Sequence, residues 1–184
     1  MSRTRAGLLI LALLLAGFVV WLIFDSRNNM MKAAVASSNG SNYSLELRPD
    51  LEPAYFNDNA SLQYHSETED YSVMVIDDSK EKIASFGLDY DLDTYMKIAT
   101  RTLDSAGMYV NATIAVNDVK ALQATIKGKR DGVPTTFVLT CIETPHFYYQ
   151  LVCWTPTDKF GVNREKMDAI IASFTEENPQ PAGE

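Results

Sequence analysis

The sequence predicts an α+β domain built on an antiparallel sheet, preceded by one transmembrane helix. Three observations predict the domain. Short runs alternate apolar and polar residues with a period of two. Two longer runs switch to the 3.6-residue period of a helix. Their order is strands, helix, strands, helix, without the strict alternation that a parallel sheet requires.

The elements follow in chain order. Residues 6–24 (AGLLILALLLAGFVVWLIF) carry no charge. At about 1.5 Å rise per residue such a helix spans roughly the 30 Å hydrocarbon core of a bilayer. Arg3, Arg5 and the free amine precede it, and Asp25, Arg27 and Lys32 follow. The positive-inside bias places residues 1–5 in the cytoplasm and the chain beyond Phe24 outside, as a single-pass anchor in the cell membrane. The competing expectation is a cleaved signal and a secreted domain. Against it, the apolar run is long, and the Ala-x-Ala site Ala34-Val35-Ala36 comes late. Residues 25–42 end in Ser37-Ser38-Asn39-Gly40-Ser41-Asn42 and read as a flexible linker.

The domain is expected over 43–174. Residues 43–48 (YSLELR) alternate and stop at Pro49, a first strand. Runs 61–68 and 71–77 flank Glu69-Asp70 as a hairpin. From Asp91 to Ala106 the residues Leu92, Tyr95, Met96, Ala99, Leu103 and Ala106 form one helical stripe. Asp91 or Asp93 caps its start and Gly107 ends it. Strands return at 109–116 and around Leu122, Ala124 and Ile126. Asp131-Gly132 makes a turn, and 135–143 and 147–155 form a second hairpin about Thr144-Pro145-His146. Asn163 is the expected cap of the last helix, with Val162 stapled on Met167, and Met167, Ile170, Ile171 and Phe174 lining its buried face. The acidic, proline-bearing residues 175–184 read as a disordered tail.

Composition narrows function. The chain has 184 residues, 46% of them hydrophobic, and a net charge of −8. Four of its 16 basic residues and one of its 24 acidic residues precede residue 33, which leaves −11 on the remainder. Nucleic acid, which needs a basic face, is excluded as a partner.

The stretch from Ala121 onward resembles the PsbP-like (PsbP/DcrB) superfamily. The resemblance rests on ALQATIKGKRDG with Gly128, on TTFVLTCIE, on FYYQLVCWTP with Tyr148-Tyr149-Gln150-Leu151, and on NREKMDAIIASF ending in Ser173-Phe174. Extended upstream, it covers residues 43–174. It implies an αβα sandwich, an antiparallel sheet between helices. It also implies a non-catalytic role, as extrinsic subunits, envelope proteins or binders of other proteins. Its motifs are packing motifs and carry no chemistry.

The chain's own residues offer few chemical constellations. His65 falls in a strand and His146 in a turn; a hydrolase would need one of them beside a hydroxyl and an orienting acid. Asp89, Asp91 and Asp93 resemble the start of a calcium loop. Thr94 and Thr100 stand where that loop needs Gly and Glu, and helix capping explains the same carboxylates. No cofactor is expected, calcium being the one possibility. Cys141 and Cys153 are expected to face the same way on paired strands but out of register, as buried free thiols rather than a disulfide. Phe147, Tyr148 and Trp154 form either an exposed binding patch or part of the core. The functional expectation is a membrane-anchored, extracytoplasmic, non-catalytic accessory protein of the cell envelope. It would be held by residues 6–24 and bound to a protein partner of unknown identity. The alternative is an exported domain that binds a metal or small ligand through its acidic loops.

Overall fold

The computed structural model describes residues 30–103 and 110–177. The apolar segment 6–24, the helix end expected at Gly107 and residues 178–184 lie outside the described residues. Among the described residues no helix is long and apolar enough to cross a membrane.

In chain order the strands are β1 (Met31–Ala36), β2 (Asn42–Leu47), β3 (Glu52–Pro53), β4 (Leu62–Ser66) and β5 (Tyr71–Ser79). Helices α1 (Lys80–Ser85) and α2 (Leu92–Thr102) follow. Then come β6 (Val110–Val116), β7 (Val119–Arg130), β8 (Val133–Glu143) and β9 (Phe147–Pro156). A 3-10 turn (Thr157–Lys159) leads into α3 (Phe160–Ala172), and β10 (Thr175–Glu176) closes the described chain.

One sheet runs β3-β4-β5-β9-β8-β7-β6 with every neighbour antiparallel. The expected antiparallel α+β domain is therefore present. Its turns are built as their residues demand. Asp131 and Gly132 both take positive φ (51° and 82°), the conformation of a two-residue hairpin turn. Asn117 and Asp118 do the same between β6 and β7, at 46° and 67°.

Alternation splits the long strands between two cores. Tyr149, Leu151 and Cys153 of β9, with Val138 and Ile142 of β8, face α3 and β2. There Met167, Ile170, Ile171 and Phe174 meet Tyr43, Leu45 and Leu47. Tyr148, Val152 and Trp154, with Phe137, Leu139 and Cys141, face the other way, under Leu92, Tyr95, Met96 and Ala99 of α2. The sheet is thus covered by a helix on each face.

Several expectations are corrected. Residues 31–36, inside the expected linker, form β1, which joins β2 and β10 in a second sheet. Ser37–Ser41 is the turn that follows β1, closed by Ser37 N–H donating to Ser41 O at 2.9 Å. Thr175 and Glu176, expected at the start of a disordered tail, pair with Ser44 and Tyr43. The helix α2 ends at Thr102, with Leu103 already extended (φ −84°, ψ 127°). The last helix starts at Phe160, so Asn163 lies inside it and is no cap, and Val162 is 70% exposed and staples nothing. Burial explains the shift: Asn163 is 1% exposed, and its amide donates to Glu69 O (2.8 Å) and Thr155 Oγ1 (3.0 Å). A buried amide left without partners would be costly, so tertiary bonding outweighs the local cap. Cys141 pairs with Gln150 and Cys153 with Val138, one residue from the expected register. That shift puts the two thiols on opposite faces. Both are free and buried.

Candidate functional site

Phe56 and Ala60 of the 54–61 loop pack beside α2 against the same core. Gln63 holds that loop: its Oε1 accepts the Phe56 and Asn57 amides at 2.6 and 2.8 Å, and its Nε2 donates to Asn57 O at 2.8 Å. Clefts lie on both sides of the loop.

The first cleft, about 500 Å³, is polar. Asn57–Ser61 line one wall and the 37–39 turn, Asp77, Asp78 and Gln150 the other. Asp77 ends the buried part of β5 and is 1% exposed. Its Oδ2 accepts the Ser37 and Ser41 hydroxyls at 2.5 and 2.9 Å, while its buried Oδ1 has no hydrogen-bond partner. Buried carboxylate oxygens ordinarily are bonded, so this orphan calls for an explanation. Asp78 accepts the Tyr95 hydroxyl at 2.6 Å, and Gln150 Nε2 donates to the same hydroxyl oxygen at 3.0 Å. Burial, with the Asp78 charge beside it, pushes the Tyr95 phenol well above its ordinary value.

The second cleft, about 280 Å³, lies at the Trp154 end of the face, lined by Phe56, His65, Ser72, Arg130, Val133 and Trp154 among others. His65 and Ser72 are cross-strand partners, with His65 Nδ1 and Ser72 Oγ 2.9 Å apart. The pair lacks the third member of a triad. Asp70 also lines the cleft, but its carboxylate is held by Lys159 Nζ at 2.9 Å. Among the described residues no carboxylate hydrogen-bonds His65.

The residues singled out from the sequence are placed elsewhere. Asp89, Asp91 and Asp93 are all exposed. Asp91 is the N-cap of α2, its Oδ1 accepting the Thr94 amide at 2.7 Å, and that hydrogen bonding holds its carboxyl below the ordinary value. Among the described residues no group of three or more His, Cys, Asp or Glu is arranged to hold a metal ion. Phe147, Tyr148 and Trp154 are 7%, 3% and 5% exposed, and Phe147 lies on the opposite face from the other two. They form no exposed patch. Tyr148 stacks on Tyr95 at 4.5 Å and its hydroxyl donates to Tyr90 O. His146 sits exposed in the hairpin turn, its carbonyl accepting the Lys80 amide at 2.9 Å. Burial pushes both thiols up to about 12, so neither is a ready nucleophile.

No protein-family model matches the chain, and no curated protein matches it in sequence. Solved structures do match. LpqN of Mycobacterium tuberculosis, involved in cell envelope biogenesis, superposes with a TM-score of 0.56 at 13% identity, over 81% of this chain and 92% of LpqN. The cyanobacterial PsbP (CyanoP) of Synechocystis sp. PCC 6803 superposes at 0.54 and 9% identity, over 81% of this chain and 93% of its own. A Bacteroides thetaiotaomicron protein gives 0.52 at 9%, over 74% of this chain and 45% of its own. The domain has the PsbP-like fold. At these identities the likeness is one of fold.

Proposed function

We propose that this chain is a non-catalytic accessory protein of the cell envelope. Residues 6–24 hold it at the cell membrane with the domain outside, and it acts by contact with a protein partner. The observation that carries the reading is the fold shared with LpqN, a protein of envelope biogenesis. The uncharged segment 6–24 agrees with it. So does β1: the Ala34–Ala36 site is part of a strand, with Ala33 and Val35 packed on the core, so a cut there would remove a structural element. Phe86 (72% exposed) and Leu88 (44%) stand out around Gly87 as an apolar tip suited to protein contact. The His65–Ser72 pair without an orienting acid favours binding over chemistry.

Fractionation of cells carrying the full chain tests the anchor. The protein should sediment with membranes, resist alkaline carbonate and be digested by protease added outside. Release into the soluble fraction would overturn the anchor. A photo-crosslinking residue at Phe86 should trap one discrete protein that the same probe at Val162 does not trap. Equal labelling from both positions would overturn the contact.

A second reading is favoured by the unpartnered Asp77 oxygen: the first cleft takes a cation or small polar ligand. Calorimetric titration with calcium and zinc decides it, and absence of binding below millimolar concentration removes it.

A further inference from the structure

Arg130 ends β7 beside the second cleft. Its guanidinium carbon lies 4.7 Å from the Phe56 ring centroid and 4.4 Å from that of Trp154. The two rings meet edge to face at 4.8 Å, which fixes the platform beneath the cation. Rings attract the charge but give its five N–H groups no lone pair to bond. The nearest carboxylate oxygen, Asp131 Oδ2, is 3.9 Å from Nε, beyond hydrogen-bond reach, on a side chain 93% exposed. Among the described residues nothing accepts from either terminal nitrogen. The Arg130 side chain is only 34% exposed, so water satisfies it in part. Partial burial pulls its pKa below the ordinary arginine value.

A flat, partly desolvated guanidinium with an idle donor edge matches the planar, two-oxygen geometry of a carboxylate or phosphate. Its surroundings extend the match. His65 lines the same cleft, with Nδ1 paired to Ser72, and among the described residues nothing hydrogen-bonds its Nε2. Val133, 49% exposed, and Pro156 supply an apolar wall. A cleft of about 280 Å³ suits a group the size of an amino acid or monosaccharide.

We propose that this cleft binds a small oxyanion-bearing ligand, a carboxylate or phosphate ester, with Arg130 as the fork and Phe56 and Trp154 as its platform. The site is independent of the anchor and of the protein partner, so its failure leaves the accessory reading standing.

The test follows the indole N–H resonance of Trp154 in the full chain, kept in solution with a non-ionic detergent. Trp21→Phe identifies which of the two indole signals belongs to Trp154. Benzoate, phenyl phosphate and inorganic phosphate are the probes, and benzyl alcohol is the neutral control. Saturable shifts are expected with at least one anion at about millimolar concentration or below. Preference for benzoate or for phenyl phosphate then names a carboxylate or a phosphate source. Arg130→Gln should weaken that binding about tenfold or more, and Arg130→Lys, which keeps charge and stem, should weaken it less. Benzyl alcohol binding as well as benzoate would overturn the proposal. So would unchanged affinity in both Arg130 variants, or no saturable shift with any anion.

Discussion

The two faces of the seven-stranded sheet are finished differently. One lies under α3 and β2 and is closed. Tyr43, Tyr149 and Phe174 pack ring on ring there at 4.8–5.7 Å. Their hydroxyls are matched, Tyr43 with Ser61 at 2.7 Å and Tyr149 with Glu176 at 2.9 Å. The other face carries α2 over its middle, with a cleft on each side of the 54–61 loop. On this face Arg130 has idle donors. The idle Asp77 oxygen belongs to the rim of the closed face, where Asp77 alternates with Val73 and Val75, pairs with Tyr149 and holds Ser37 and Ser41. The difference separates two tasks on one sheet. The closed face holds the fold, and the open face is where a ligand has access.

The largest effect should come from breaking the closed face. Phe174→Ala removes a ring 1% exposed and should cost roughly 3–5 kcal/mol in urea or thermal unfolding. Phe56→Ala, on the open face, removes a half-buried ring and should cost about 1 kcal/mol. It should also abolish the anion response of Trp154. Equal costs for the two truncations would erase the division of labour.

Asn163→Ala comes next. Two acceptors, Glu69 O and Thr155 Oγ1, lose their donor inside the closed face, at a cost of about 1–3 kcal/mol. This residue also shows where sequence reading stops. Period-two and period-3.6 patterns reveal what buries an apolar face, and they reveal the long strands and α2 from local spacing alone. They are silent where a long-range partner decides. Asn163 resembles a cap until Glu69 O is known to lie above it. Strand β10 has two residues, and its partners Ser44 and Tyr43 lie at the other end of the domain. Helix α1 (KEKIAS) buries none of its residues and so has no stripe; only the Ser79 cap marks it. The cysteines fell on the wrong relative face because a turn displaced by one residue flips a whole strand. The site was less legible still. Arg130 stood in view beside the Asp-Gly turn, but nothing local links it to Phe56 or Trp154. For Trp154 the pattern leaves patch and core both open; the side chain is 5% exposed, and what spacing does not reveal is its place beneath Arg130.

The thiols compare the faces directly, Cys141 under α2 and Cys153 under α3. Burial raises both from 9.0 to about 12 in the native state. A folded value above the unfolded one means that the native state holds the proton more tightly. The stabilisation is therefore complete below pH 9 and is lost as pH rises from 9 toward 12. Alkaline titration followed by circular dichroism should show that loss. At pH 8 neither thiol should react with a maleimide until the chain opens. As urea rises, Cys141 should label before Cys153, because one helix opens more readily than a helix and strand together. Simultaneous labelling would mean that the two faces unfold as one unit.

The smallest change in stability should come from the rim of the open face. Lys159 and Asp70 pair at 2.9 Å with side chains 47% and 41% exposed. Such a pair is worth little, so Lys159→Ala should move the unfolding free energy by no more than about 0.5 kcal/mol. Its effect on the cleft should be larger than its effect on the fold. Removing the ammonium leaves the Asp70 carboxylate uncompensated in the wall that Arg130 shares. An oxyanion arriving at Arg130 then meets a like charge, and benzoate or phenyl phosphate should bind more weakly than to the parent chain. The penalty should shrink as salt rises from about 0.01 M, where screening reaches roughly 30 Å, to about 1 M, where it reaches roughly 3 Å. An affinity loss that salt leaves unchanged would point to altered packing at the cleft. A loss of stability beyond the surface range would place Lys159 in the fold and not at the rim of a site.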